Sequence, residues 1–367
     1  MIQIYLQFYI VVISLIVLVL WGLNKKDDVT CGYGGTSLIS SDVSVTLKAV
    51  CCILIILGHY ALRNYDSSSL LVKALALGGG NVALAIFLFL SAYGVSQSDK
   101  KSPLNLTEYF RHRILKLLIP FCICSTLTVI FYWLLSTPVD EANLTAYSRL
   151  GTIYPAIANG KWDVSDFLLA CIGIKQVNFA YWFVYITLFA YIVFFIVKKY
   201  IGLERKFACV SIYAVVLIIF GVIFGVQYLR NIWALILGLT VSVYEKDILK
   251  HPIRWGSIGF VLIAAYLFAY VVISRDGGII LIISNMLAMV ILLCCGCIGR
   301  FYRLKQGSII AILASISYPI YLIHGPFMHL QWSMTRNHKS LLSLIFVSVI
   351  VSLLINLFTS KIYSKVK

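Results

Sequence analysis

The chain reads as a series of long apolar blocks separated by short polar connections. A helix needs about 20 apolar residues to cross the hydrocarbon core of a bilayer. Eleven blocks reach or approach that length: Ile2–Leu23, Val43–Leu62, Asn81–Ser96, Ile114–Ser136, Phe179–Val197, Phe207–Val226, Tyr228–Tyr244, Trp255–Ser274, Ile279–Ile298, Ser308–Leu330 and Leu341–Ser360. The third and the seventh are short, and their ends are the least sharply marked. The longest polar connection, Thr137–Asn178, carries Pro138, Pro155 and several charges, which predicts a loop with room to fold locally. No internal repeat or low-complexity stretch interrupts the series. The pattern predicts an all-α fold, a polytopic integral membrane helical bundle.

Composition strengthens that reading. Hydrophobic residues are 61% of the chain and charged residues 12%, with a mean hydropathy of +0.95. A soluble domain carries about a quarter charged residues, so lipid is the expected solvent. The net charge of +16 would suggest nucleic acid in a soluble protein. Here the basic residues sit in short loops between apolar blocks, the pattern that orients membrane proteins, and no nucleic-acid partner is expected. With the Asp99–Arg113 loop inside, alternation also places Lys25–Lys26, Lys198–Lys206, Lys246–Arg254, Arg300–Lys305 and the Lys361–Lys367 tail inside. Counting Lys48 and Lys116 with the cytoplasmic ends of their helices, that assigns 21 of the 30 Lys and Arg to the cytoplasmic side and 9 to the other. The expected placement is a cell membrane, with the amino terminus outside and the carboxyl terminus cytoplasmic. Ile2–Leu23 lacks a basic n-region and a small-residue cleavage site, so it reads as a span and not a signal peptide.

The informative residues are then the polar ones left within the apolar blocks. All fourteen Asp and Glu fall in loops or at helix ends, which argues against a proton relay. Lys48 and His59 are eleven residues apart, three turns plus about 20°, so they share one face and lie about 16 Å apart along it. Two such groups on an apolar helix suggest a polar path. Ser91 is within the third block. Ser317 and His324, seven apart, share a face near the end of the tenth. Arg113 and Lys116 are adjacent on one helix face. With Lys100, Lys101, Arg111 and His112 they form a basic cluster suited either to anionic lipid or to a phosphorylated cytoplasmic ligand. No metal site is expected: of the ten cysteines, most lie in apolar runs, and Cys122 and Cys124 point different ways. Gly78–Gly79–Gly80 lacks the Lys-Ser or Lys-Thr of a phosphate loop and reads as a turn before a helix.

Several of these segments, in order, resemble acyltransferase family 3, the bacterial integral-membrane O-acyltransferases. Leu47-Lys48-Ala49 through Leu57-Gly58-His59-Tyr60 is similar to the family's Arg, ten residues, His pattern. Ala85-Ile86-Phe87-Leu88-Phe89-Leu90-Ser91-Ala92-Tyr93 resembles its Phe-Phe-x-x-Ser-Gly-Phe segment. Tyr109-Phe110-Arg111-His112-Arg113-Ile114-Leu115-Lys116 through Pro120-Phe121 resembles its Arg-x-x-Arg helix with the following proline. Tyr181-Trp182-Phe183 resembles its Trp-Phe opening, and Ile316-Ser317-Tyr318-Pro319-Ile320-Tyr321-Leu322-Ile323-His324 its penultimate helix. The resemblance spans about Val43 to Ser360. Three positions depart from it: Lys48 and Lys116 stand where the family has Arg, keeping the charge and losing the planar fork, and Ala92 stands for Gly.

The resemblance implies ten core spans in an acyltransferase domain over 43–361, an extra helix and cytoplasmic linker at 1–42, and a cytoplasmic tail at 362–367. No soluble esterase-like domain is expected after the last helix. It also implies acyl-coenzyme A, usually acetyl-CoA, as co-substrate and a sugar or cell-surface polysaccharide hydroxyl as acceptor. In that scheme Arg113, Lys116 and Arg111 hold the donor's phosphates, and Lys48, catalytic together with His59, lines the path of the donor's arm. His59 is the base or nucleophile, and Ser91 and His324 orient the acceptor or stabilise the oxyanion. Membrane lipid is a further partner, with a homo-oligomer or a polysaccharide-synthesis assembly as wider settings. Two rival readings are a lipid-linked sugar transporter or polymerase, and a non-catalytic membrane scaffold.

Overall fold

The computed structural model describes residues 2–25, 37–62, 69–134, 163–274, 278–299, 301–334 and 340–366. The expectations attached to Lys26, Pro138, Pro155 and Arg300 lie outside the described residues. Among the described residues, sixteen α-helices and two short strands follow in chain order: α1 Ile2–Gly22, β1 Leu23–Lys25, α2 Ser41–Leu62, α3 Leu70–Ala74, α4 Gly80–Lys101, α5 Leu106–Tyr109, α6 Leu115–Leu134, α7 Val164–Cys171, α8 Trp182–Ile201, α9 Lys206–Phe224, α10 Val226–Val243, α11 Glu245–Lys250, α12 Pro252–Ser274, α13 Gly278–Ile298, β2 Tyr302–Leu304, α14 Ile309–Ser315, α15 Ser317–Met334 and α16 Leu341–Val366.

Each of the eleven apolar blocks is a helix or a helix pair. Among the described residues nine helical stretches are long and apolar enough to cross a bilayer; the Ile309–Ser315 and Ser317–Met328 pair makes a tenth, and Tyr228–Val243 is a shorter apolar helix. The chain is an all-α, multi-pass membrane bundle. Two blocks differ from expectation in detail. The third is much longer than Asn81–Ser96, because Leu75–Gly79 forms a π-helical turn that joins α3 to α4. Gly79 (φ −56°) and Gly80 (φ −65°) are both right-handed helical, so the glycine triplet is no turn. The tenth is broken at Ile316: Pro319 falls in the first turn of α15, where a missing N–H costs nothing, whereas in an unbroken helix it would forfeit a bond to Ser315.

By contacts the chain forms two units, one of residues 12–105 and 186–314 and one of residues 1–11, 106–185 and 315–367. In the first, small residues set helix spacing, as expected where lipid removes any hydrophobic drive between helices. A Cβ at Gly238 would lie 2.4 Å from the Phe89 carbonyl oxygen, so α10 and α4 touch backbone to backbone there. Polar pairs lock the register: Ser242 Oγ donates to Ser96 Oγ (2.8 Å), Trp233 Nε1 to Asn285 Oδ1 (3.2 Å) and Lys198 Nζ to Asp99 (2.6 Å). The Glu245 carboxylate accepts from the Leu38 N–H (2.7 Å), the Tyr93 hydroxyl and the Gln97 amide. The strands pair antiparallel, with Asn24 opposite Arg303, and Lys305 N–H donates to the Gly22 carbonyl (2.9 Å). This two-stranded ribbon anchors the end of α1 and has no hydropathy signature.

In the second unit, Pro120 lies inside α6 and cannot donate to the Lys116 carbonyl. Around that defect tyrosine hydroxyls from other helices reach the backbone. Tyr318 donates to the Leu117 carbonyl (3.0 Å) and Tyr363 to that of Leu115 (2.9 Å), tying α6 to α15 and α16. Gln7 Oε1 accepts the Leu341 N–H (2.8 Å), satisfying one of the free donors that open α16.

Candidate functional site

In the first unit the residues of interest lie on α2 and α4, which pack against each other. His59 is half-buried near the end of α2, whose inward positions Leu57, Gly58 and Tyr60 are buried. A Cβ on Gly58 would stand 2.7 Å from the Gly80 backbone nitrogen, and one on Gly80 would stand 3.9 Å from the His59 ring. The imidazole is thus held where α2 meets the junction of the π turn and α4. Single π turns widen a helix locally and recur at functional positions. Lys48, also half-buried, is three turns nearer the start of α2. Ser91 lies eleven residues along α4 from Gly80 on the face that meets α2, about 16 Å away. That spacing puts Ser91 level with Lys48 and not with His59. Its Oγ donates back to the Phe87 carbonyl (2.8 Å), leaving the oxygen's lone pairs for other contacts.

The second unit carries the basic residues and the other histidine. Phe110–Ile114 is also π-helical, so Arg111, His112 and Arg113 all sit on a widened turn at the head of α6. Arg111 and Arg113 are half-buried, whereas Lys116, in regular α-helix, is exposed. The i,i+3 spacing therefore spans a change of helix type, and the two cations occupy different surroundings. His324 is fully buried on α15. Its Nδ1 lies 2.7 Å from the Tyr321 carbonyl oxygen and 3.2 Å from that of Ile320. Carbonyl oxygens only accept, so Nδ1 carries the proton, and in the neutral ring Nε2 is the acceptor.

The approach to α15 runs through the described part of the long polar connection, residues 163–178. Asp163 caps α7, its carboxylate accepting from the Asp166 N–H (2.7 Å). That N–H and the Ser165 hydroxyl hold the Asp163 carboxyl below its ordinary value. After α7 the chain turns at Gly173 (φ 76°), where a Cβ would strike the Phe121 ring. Lys175 pairs with Asp166. Asn178 follows, 1% exposed, its Oδ1 accepting the Ala180 N–H (3.0 Å) to cap the short 3-10 turn Phe179–Tyr181. Tyr321 donates to the Ala180 carbonyl (2.6 Å), and Phe183 packs on the Tyr321 ring at 4.9 Å. The Tyr181-Trp182-Phe183 and Ile316–His324 motifs are thus in direct contact.

Asn178 and the two π turns are features that sequence reading passes over. Asn178 sits in a polar stretch where an amide is unremarkable, and a π turn differs from an α turn by a single residue. The triple glycine was a usable signal, because it permits the approach of Gly58 to Gly80.

Comparison with curated proteins and with solved structures gives no match. A family model described as an acyltransferase domain matches residues 46–360. That match includes Lys48, His59, Ser91, Arg111, Arg113, Lys116 and His324, and covers most of the 367 residues. The chain belongs to this acyltransferase family, family 3, and is a multi-pass membrane acyltransferase.

Proposed function

We propose that the protein is an O-acyltransferase that moves a short acyl group, acetyl first among them, from cytoplasmic acyl-coenzyme A to a hydroxyl of an extracytoplasmic sugar or cell-surface polysaccharide. The observation that carries this reading is the pairing of Lys48 and His59 on one face of α2 within an acyltransferase domain. In a membrane helix, two ionisable groups three turns apart are costly unless they serve a path. The excess of Lys and Arg on one set of loops supports the cytoplasmic placement of the donor.

Each group has a role that fits its surroundings. Arg113 and Arg111, on the π turn, bind the phosphates of coenzyme A through charge-assisted hydrogen bonds, with Lys116 contributing a point charge. Lys48 and Ser91, at one level of the α2–α4 pair, line the path of the pantetheine arm. His59 takes the proton from the acceptor hydroxyl as that oxygen attacks the thioester carbon. The new C–O bond forms, the C–S bond breaks, and the proton is returned to the departing thiolate. An acyl-imidazole on His59 is the two-step version of the same transfer. His324, with its Nδ1 proton fixed on backbone carbonyls, is set to accept a hydrogen bond from a hydroxyl.

The test is acyl transfer by purified protein in lipid vesicles supplied with labelled acetyl-coenzyme A and a glycan acceptor. His59→Ala is expected to fold and insert yet transfer nothing. Full transfer by that variant would remove His59 from the mechanism.

A further inference from the structure

Three helix ends meet at one corner of the first unit: the last turn of α10 and the first turns of α9 and α12, with the short α11 between them. Two contacts fix the corner. Lys206, the first residue of α9, pairs with Asp247 of α11 (2.6 Å) and lies over the Tyr244 ring at 5.3 Å. The Trp255 ring of α12 packs on that same tyrosine, also at 5.3 Å.

Residues 199–206 and 244–255 hold six Lys and Arg against three acids, and two of those acids are already engaged. The Glu245 carboxylate faces inward, where it accepts from the Leu38 N–H, Tyr93 and Gln97. Asp247 is committed to Lys206. That lysine first, with Lys250 and His251 beyond it, holds the Asp247 carboxyl below its ordinary value. Lys246 and Lys250, four residues apart, share a face of α11, where like charges repel. Both are exposed, as is Arg254. No ion pair among the described residues involves any of these three cations.

Charge that serves only to orient a membrane protein needs to lie on one side of the bilayer. It does not require that acids turn inward while cations stay exposed beside apolar groups. Here Phe207 and Ile253 are 80% and 85% exposed. They open the apolar stretches of α9 and α12, both long enough to cross a bilayer. Their side chains therefore stand where acyl chains begin, and the cations stand at headgroup level. A phosphodiester with net negative charge and attached acyl chains matches both halves of the surface.

We propose that this corner binds an anionic phospholipid, its headgroup phosphate held by Lys246, Lys250 and Arg254 and its acyl chains lying against Phe207 and Ile253. Arg254 offers the phosphate a planar fork, and the two lysines add mobile point charges.

The test uses the full chain in detergent, titrated with phosphatidylglycerol or phosphatidylcholine, with bound lipid counted by native mass spectrometry. Wild type should prefer phosphatidylglycerol by about tenfold or more. A basic group facing an anionic lipid contributes about fivefold in affinity. Lys246→Gln, Lys250→Gln and Arg254→Gln together should therefore lower phosphatidylglycerol affinity about 10²-fold and leave phosphatidylcholine binding within about threefold. The control removes the same charge from the β1–β2 ribbon and its flank: Lys25→Gln, Arg303→Gln and Lys305→Gln should keep phosphatidylglycerol affinity within about threefold. If the first triple variant does not fold, Lys250→Gln and Lys250→Arg decide: glutamine should cost about fivefold and arginine nothing. The proposal is overturned if wild type shows no preference, if the first triple variant stays within about threefold of wild type, or if the ribbon variant loses as much. Equal affinity in the two Lys250 variants overturns it too. So does displacement of phosphatidylglycerol by millimolar inorganic phosphate, which would make the corner a site for free anions.

Discussion

Replacing Gly58 by alanine tests whether the contact between α2 and the π turn positions His59. The added Cβ would stand 2.7 Å from the Gly80 nitrogen and 3.2 Å from the Gly80 Cα. The first distance is about 0.7 Å short of the 3.4 Å at which ordinary contact begins. Both obstacles are backbone, so no side chain can rotate away and the helices must part. Overpacking of this kind costs about 1–3 kcal/mol, and the backbone clash argues for the upper half of that range. Because His59 is the next residue, the same movement shifts the imidazole by several tenths of an ångström. Misplacement of a reacting group by about 1 Å costs on the order of 10²-fold in rate. Gly58→Ala should therefore unfold at lower temperature in detergent and lose tenfold or more in transfer at temperatures where it is fully folded. The control is Gly94→Ala, on an open position of α4 with nothing within 4 Å. There alanine should gain about 0.5–1 kcal/mol through reduced backbone entropy, with no change in transfer. If Gly58→Ala matches wild type in both measurements, the close approach is not what sets His59.

Two further predictions separate the roles assigned above. Arg113→Ala removes a half-buried cation from a π turn, and loss of a charge-assisted hydrogen bond costs about 1.5–3 kcal/mol, so donor affinity measured by calorimetry should fall at least tenfold; Lys116→Ala, on an exposed cation, should cost less than half of that in free energy. The Asp163 cap should be sensitive to acid. Its carboxyl is held below the ordinary value in the folded state, so its contribution is present above the unfolded carboxylate pKa of about 4 and is lost as pH falls through the folded one. Hydrogen exchange of the α7 amides should accelerate below that range in wild type and stay level in Asp163→Asn, which keeps the cap without titrating.

Much of this architecture was legible in the residues, and for a simple reason. A bilayer demands about 20 apolar residues per span, so eleven blocks became eleven helical segments in the expected order. Lys48 and His59 stood out because polarity in such a block is expensive. What escaped notice depends on single residues or on contacts distant in sequence. The glycine triplet at 78–80 suggests a turn, and only the packing of Gly58 against Gly80 makes a helix of it. The break at Ile316 had a signal in Pro319, masked by unbroken hydropathy on both sides. Arg113 and Lys116 share a face on an ideal helix, but the π turn at Phe110–Ile114 gives them different exposure. Ser91 belongs with Lys48 because α2 and α4 run antiparallel, which no local pattern reveals. Asn178 emerged only when the chain brought it against Gly325, some 150 residues away.

The central claim is that this membrane acyltransferase modifies a surface sugar from a coenzyme A donor through His59. Mass spectrometry of surface glycans tests it most directly, comparing cells with the wild-type gene, with no functional gene, and with His59→Ala. The account predicts one acyl-group mass increment on a glycan hydroxyl in wild-type cells alone. Identical glycans in all three, or the same increment in the His59→Ala cells, would contradict it.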